Sequence, residues 1–275
     1  MSRDAHPTST ARALWLHVKP TFLLPPVATS VFGGLLAATF DVEVAFVHAV
    51  AVALVMYVAH LVDGYVDYYR RGEDASNPLS RAGVHVAVLA TSALFGGCLL
   101  TLWAVGGSFS VLLTVPLWVL AVSHAPYLDT NPVAVTFDYA VGVALVICGG
   151  FAAQTRTLTL AVVCVALLYV PLLGAAKVLV DAIDYEGEAA LTKRTLPVVL
   201  GRRWTHPVSA GLVAFTGCLV VAAVSRDVFP PTALVALVFP LFATIGGFLV
   251  TLRTSVRLQM VSTALFSVTM LVVLS

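Results

Sequence analysis

Charge is scarce in this 275-residue chain: Asp, Glu, Lys and Arg together make up 11% of it, against about 25% in an ordinary soluble domain. So few ions cannot clothe a water-facing surface. With 60% hydrophobic residues and a mean hydropathy of +0.98, a soluble enzyme is excluded. The net charge is only +1 and no basic stripe runs along the chain, so no nucleic-acid partner is expected. Cysteine is sparse too. Cys98, Cys148, Cys164 and Cys218 lie in separate apolar runs without a CxxC or a Cys–His cluster. They read as small core or lipid-facing residues rather than metal ligands or disulfides. Residues 1–17 are polar, carry Arg3 and Arg12, and lack an apolar stretch ending in small residues. No removable signal peptide is expected there, only a short cytoplasmic segment before one membrane domain that fills residues 1–275.

Long apolar runs are what the chain does have. A span needs about 20 mostly apolar residues, and candidates fall at 20–40, 43–69, 84–105, 109–128, 134–153, 158–181, 206–224, 232–252 and 255–274. The expected fold is therefore all-α, a multi-pass integral membrane bundle of about nine transmembrane helices. With that count, twelve of the 15 basic residues fall on the side of the N-terminus, two fall on the other, and Lys177 lies within the sixth helix. The asymmetry predicts that the first side is cytoplasmic, in a cell membrane.

Acid is concentrated in two places. HLVDGYVDYYRRGED (His60 to Asp74) and KVLVDAIDYEGEAALTKR (Lys177 to Arg194) hold eight of the 14 acidic residues. Both sit where a long apolar helix reaches the predicted cytoplasmic side. Residues three, four and seven apart share a helix face. The spacing therefore aligns His60, Asp63, Asp67 and Arg70 on one helix, and Lys177, Asp181, Asp184 and Glu188 on another. Ionisable groups at membrane depth usually face a polar cavity, and like charges so close repel unless a cation sits between them. A hard divalent ion with oxygen ligands meets that need, and Mg²⁺ keeps positions open for water and substrate phosphates. Arg70, Arg71, Lys177, Lys193 and Arg194 would neutralise the rest of a diphosphate. The plainer reading is of solvated caps or ion pairs with the neighbouring arginines. Glu73, Asp74 and Glu186 read as loop residues. Asp138 is left as either a pocket residue or a helix N-terminal charge.

The segment DAIDYEGEAALTKRTLPVVLG resembles the second acidic signature of the UbiA family of membrane prenyltransferases, Asp-x-x-Asp-x-x-Gly-Asp followed by Lys-Arg-Thr-Leu-Pro-Val-x-Leu-Gly. Asp181, Asp184, Gly187 and Glu188 fill its first part, and Lys193 to Val198, Leu200 and Gly201 its second. Asp63 and Asp67 match the last two positions of the first signature, Asn-x-x-x-Asp-x-x-x-Asp. Lys19-Pro20 is similar to the basic-Pro start of the family. Departures are Ala59 in place of the asparagine, Glu188 in place of an aspartate, and the stretch 124–132, which lacks the family's Lys or Arg after Tyr-Pro.

The resemblance implies Mg²⁺-dependent transfer of a prenyl group from a polyprenyl diphosphate to a lipophilic acceptor: a quinone precursor, an ether-lipid glycerol phosphate, a tetrapyrrole or a carotenoid-like molecule. Asp63, Asp67, Asp181, Asp184 and Glu188 would hold the metal, and the first four are the expected catalytic set. Arg70, Lys177, Lys193 and Arg194 would bind diphosphate. Membrane lipid is the other expected partner, and no protein partner is predicted. Tyr57, Tyr65, Tyr68, Tyr127 and Tyr169 are candidates to face an allylic cation, or else packing and interface-belt residues. His60 or Asp67 would assist proton loss. Two rivals remain. The 118 residues between Asp63 and Asp181 disfavour the continuous motif of CDP-alcohol phosphotransferases. A cation- or proton-coupled transporter would use the same carboxylates, but near mid-span.

Overall fold

The computed structural model describes residues 9–190 and 194–274. Among these the chain is helical throughout, and six helices are long and apolar enough to cross a membrane. In order they are α1 (Thr10–Leu16), α2 (Pro20–Leu35), α3 (Val42–Tyr65), α4 (Arg81–Tyr127), α5 (Pro132–Thr155), α6 (Leu160–Ile183), α7 (Tyr185–Ala190), α8 (Leu196–Leu200), α9 (Thr205–Ser225), α10 (Val238–Gly247) and α11 (Leu252–Leu274). A π-helix, Val66–Arg71, continues α3, and a 3-10 segment, Pro231–Leu237, precedes α10. The expected spans at 20–40 and 232–252 are thus shorter than their apolar runs. α2 stops two residues after Gly33, and α10 begins only after the 3-10 stretch that Pro231 opens.

Start signals are chemical and local. Asp41 caps α3 by accepting from the N–H groups of Glu43 and Val44 at 2.9 and 3.2 Å. Asn131 does the same for α5, at 3.0 Å to both Val133 and Ala134, with Pro132 supplying a preset φ at the first position.

The 47-residue α4 is two helices. Gly107, at φ 79° and ψ 174°, interrupts it in a region open essentially to glycine alone. The limbs then run side by side, because the Trp118 indole N–H donates to Ser92 Oγ at 2.9 Å. Phe95 and Leu102 of one limb share a core with Leu117 and Ala121 of the other and with Val52, Val55 and Val58 of α3. A second core joins α5, α6, α9 and α11 around Ile147, Leu168, Leu172 and Phe266. Large apolar side chains such as Leu100, Trp103, Phe242 and Leu249 point outward, which suits lipid. Lipid offers helices no hydrophobic reason to associate, so close packing holds them. α2 and α5 meet nearly backbone to backbone. A Cβ at Gly33 would lie 2.3 Å from the Ile147 carbonyl oxygen, and one at Gly150 2.4 Å from that of Ser30.

This up-and-down path has one consequence for chemistry. With α4 folded back at Gly107, the end of α3, the end of α4, the start of α5 and the end of α6 fall on the same side of the bundle.

Candidate active site

The first signature straddles a change of helix type. α3 is regular to Tyr65, then widens into the π-helix, which takes more residues per turn and recurs at functional sites. The regular spacing that would align Arg70 with Asp63 and Asp67 is therefore broken. Arg71 turns to the carboxylates instead: its Nη1 lies 3.7 Å from Asp67 and 3.9 Å from Glu73. The same guanidinium forks onto Asp129, donating to both carboxylate oxygens at 2.5 and 2.7 Å, and reaches the Ala125 carbonyl at 2.6 Å. Arg70 lies over the Tyr65 ring at 5.7 Å. Asp63, partly open, pairs with Lys19 at 3.5 Å across from α2. The loop after the π-helix folds back beneath it, with Asn77 Nδ2 donating to the Gly64 carbonyl at 2.9 Å and the Tyr69 hydroxyl to that of Leu79 at 2.6 Å.

The second signature closes α6. Lys177 donates to Asp181 Oδ1 one turn on. Asp181 is only 1% exposed, and its Oδ2 has no hydrogen-bond partner among the described residues. α6 ends at Asp184, which is exposed and whose carbonyl accepts from the Glu188 N–H at 2.9 Å. The Glu188 carboxylate in turn accepts from the Thr195 hydroxyl at 2.7 Å. Thr195 occupies the N-cap of α8 but makes no side-chain cap bond there, so its hydroxyl ties the acidic half of the signature to the basic half. Burial pushes the Glu188 carboxyl above the usual glutamate range, and nearby Asp181 and Asp184 add to this, while Thr195 opposes it. Asp184, Glu186, Gly187, Ile183 and Arg202 line an open cavity of about 340 Å³. Arg194 is exposed, and Lys193 lies outside the described residues.

A further, partly buried polar pair links α4 to α5. His124, in the last turn of α4, bonds Asp138 of α5 through Nδ1 and Oδ2 at 2.5 Å. Asp138 is 5% exposed in its side chain while His124 is 36% open, and Asp138 Oδ1 also accepts the Tyr139 N–H at 2.6 Å. The charges of Asp63 and Lys177 both reach His124. Asp181 likewise feels Asp138. His124–Asp138 therefore lies on the same side of the bundle as both signatures, next to Ala125, whose carbonyl Arg71 of the first signature reaches. Sequence reasoning left Asp138 ambiguous and gave His124 no role. The available signal was a lone carboxylate in the apolar run 134–153, one turn-pair from a histidine set beyond two prolines.

The other candidates are placed as follows. His60 is buried, edge-on to Phe22. Tyr57 donates to the Leu14 carbonyl and so docks α1 on α3. Tyr65 packs tilted against Tyr69, and Tyr68 meets Tyr69 edge-on. Tyr127 is exposed, and Tyr169 is in the core between Phe32 and Phe266. Among the described residues, no three His, Cys, Asp or Glu side chains already converge as a metal cage. Lysines and an arginine hold the carboxylates instead.

No protein-family profile matches this sequence, and no curated protein matches it. Solved structures do. One, from work on digeranylgeranylglyceryl phosphate synthase in membranes, superposes with a TM-score of 0.75 at 13% identity, covering 96% of this chain and 98% of its own. A UbiA homologue from Aeropyrum pernix K1 gives 0.69 at 16% identity, over 93% and 98%. The fold is UbiA. A third structure, a UbiA homologue from Archaeoglobus fulgidus bound to DMAPP and Mg²⁺, gives 0.65 at 16% identity, over 96% and 97%. At these identities the likeness is one of architecture, and the near-complete coverage on both sides makes it an architecture of the whole UbiA bundle.

Proposed function

We propose that this protein is a Mg²⁺-dependent prenyltransferase that moves a prenyl group from a polyprenyl diphosphate to a lipophilic acceptor within the membrane. The observation that supports the reading is that the two signatures, 118 residues apart, are close enough for their charges to reach one pair: Asp63 and Lys177 both act on His124, and its partner Asp138 acts on Asp181. The homologue of the same fold that binds DMAPP and Mg²⁺ supports it. We count nine spans by taking α4 as two limbs and adding the shorter apolar helices at Pro20–Leu35 and Pro231–Gly247. The excess of basic residues in the loops on the signatures' side supports an active site at the cytoplasmic face of the cell membrane.

The residues fit a hard cation. Their donors are carboxylate oxygens, and the orphaned Asp181 Oδ2 is a buried acceptor waiting for a partner. Asp63, Asp67, Asp181, Asp184 and Glu188 would hold Mg²⁺, which supplies charge neutralisation at the diphosphate leaving group. Lys177, Arg194, Arg70 and the inward-turned Arg71 would bind diphosphate oxygens, as would Lys193, which lies outside the described residues. Their charges sit where negative charge grows as the allylic C–O bond breaks, which is where electrostatic catalysis acts. The prenyl tail would lie among apolar helix faces, and Lys19, now on Asp63, would be released to the head group.

The test is incubation of the purified protein with Mg²⁺, labelled prenyl diphosphates and a membrane lipid extract. Diphosphate release together with a labelled lipid product is expected, and Asp63→Ala and Asp181→Ala abolish both while the variants stay folded in detergent. Wild-type turnover in either variant, or cation flux in vesicles with no diphosphate release, overturns the reading.

A further inference from the structure

We propose that His124 is the base that takes the proton of the prenyl acceptor, with Asp138 as its positioning residue, and that the acceptor nucleophile is a lipid hydroxyl. The proposal rests on the prenyltransferase reading above.

The geometry has three parts. Asp138 is almost fully enclosed and accepts from both His124 Nδ1 and its neighbouring backbone N–H. A carboxylate so held orients the ring through Nδ1, so that in the neutral imidazole Nε2 is the nitrogen free to accept a proton. Nε2 has no hydrogen-bond partner among the described residues, and the side chain is 36% exposed. The charged groups facing it from packed elements are Asp138 of α5, Asp63 of α3 and Lys177 of α6. The ring therefore stands on the signatures' side of the bundle, next to Ala125, whose carbonyl Arg71 of the first signature reaches at 2.6 Å.

A nucleophile oriented by a base that is itself oriented by a carboxylate is the arrangement that activates neutral hydroxyls. An acceptor that is ionised beforehand, or that attacks through an aromatic carbon, needs no such base before bond formation. In the step proposed, the prenyl C1–O bond breaks and its electron pair leaves with diphosphate. An oxygen lone pair of the lipid hydroxyl forms the new C1–O bond, and the O–H proton passes to His124 Nε2. The products are a prenyl ether and diphosphate, with the proton later lost to water.

The experiment uses the full-length protein in lipid nanodiscs with Mg²⁺, a labelled prenyl diphosphate and two probe acceptors, a monoalkylglycerol ether and its analogue with thiol in place of hydroxyl. The wild type is expected to form the ether. His124→Ala should lower kcat on the hydroxyl probe by roughly 10²–10⁴-fold, leave KM for the prenyl diphosphate within about twofold, and spare the thiol probe, because a thiol ionises unaided. Asp138→Asn should show the same split. Should His124→Ala fail to fold, His124→Gln gives the same readout. Three results overturn the proposal: a His124 variant as fast as wild type on the hydroxyl, an equal loss on both probes, or a wild type that prenylates only aromatic carbon. A wild type that neither binds nor cleaves any prenyl diphosphate fails the prenyltransferase reading itself, and the proposal falls with it.

Discussion

Arg71 and Asp129 form a two-pronged ion pair, 2.5 and 2.7 Å, that ties the π-helix after α3 to the turn between α4 and α5. Both side chains are largely enclosed, at 14% and 6% exposure. Removing one partner strands a buried charge, which costs about 3–5 kcal/mol. Arg71→Ala should therefore lower thermal stability in detergent sharply. Arg71→Lys should recover only part of it, since an ammonium cannot reproduce the fork. Equal stability of all three proteins would show the pair to be incidental.

Glu188 sets a pH dependence whose sign is opposite to that of a salt-bridged acid. Burial holds its carboxyl above the ordinary glutamate range, so the folded protein binds that proton more tightly than the unfolded chain. Its stabilising contribution is complete below about pH 4.3 and is lost as pH rises through the elevated value. In Mg²⁺-free buffer, Glu188→Gln should gain unfolding temperature relative to wild type as pH is raised from the acid side. Thr195→Val removes a bond that favours the charged form and should displace the decline to higher pH. A wild-type advantage that grows with pH would contradict the assignment.

The two signatures were legible because acid is rare in this chain, so its clustering at helix ends stands out, but only Lys177 and Asp181 share α6 as the spacing predicted: the helix ends at Ile183, Asp184 caps it, and Glu188 lies on the separate α7. The break in α4 was equally plain: Gly106, Gly107 and Ser108 interrupt an apolar run, and the interruption is Gly107. What could not be read was the π-turn. Nothing in Val66–Arg71 announces an extra residue per turn, and that one change exchanges Arg71 for Arg70 on the inward face. His124–Asp138 was hidden for another reason. The partners are 14 residues apart across a turn, and no helical or strand period pairs positions across a reversal of the chain.

Glycines at the α2–α5 contact differ from glycines elsewhere in a testable way. Gly150→Ala would place a methyl 2.4 Å from a backbone carbonyl oxygen, which cannot swing aside. The helices must separate, at about 1–3 kcal/mol or more. Gly96 and Gly97 have open space around their Cβ positions. Alanine there should be neutral or stabilise by up to about 1 kcal/mol through helix propensity. Thermal melts of the three single variants in one detergent distinguish a packing effect from a general intolerance of alanine.

Metal and diphosphate should stabilise the fold together, and the reason lies in the ion pairs already present. Lys19 neutralises Asp63 and Lys177 neutralises Asp181, so Mg²⁺ alone must displace lysines from the carboxylates it takes. Inorganic diphosphate gives those lysines a new anion, which lowers the penalty of displacement. Mg²⁺ by itself should raise the unfolding temperature modestly, diphosphate by itself little, and the two together by more than their sum. A ligand at 100 times its Kd contributes about 2.7 kcal/mol, a shift well within reach of a melt. Chelation with EDTA should return the protein to its starting value. Asp63→Ala and Asp181→Ala should each abolish the joint effect, because each removes one of the carboxylates proposed to hold the metal. Additive shifts, or a joint shift that survives in both variants, would mean that the two signatures do not grip one ligand.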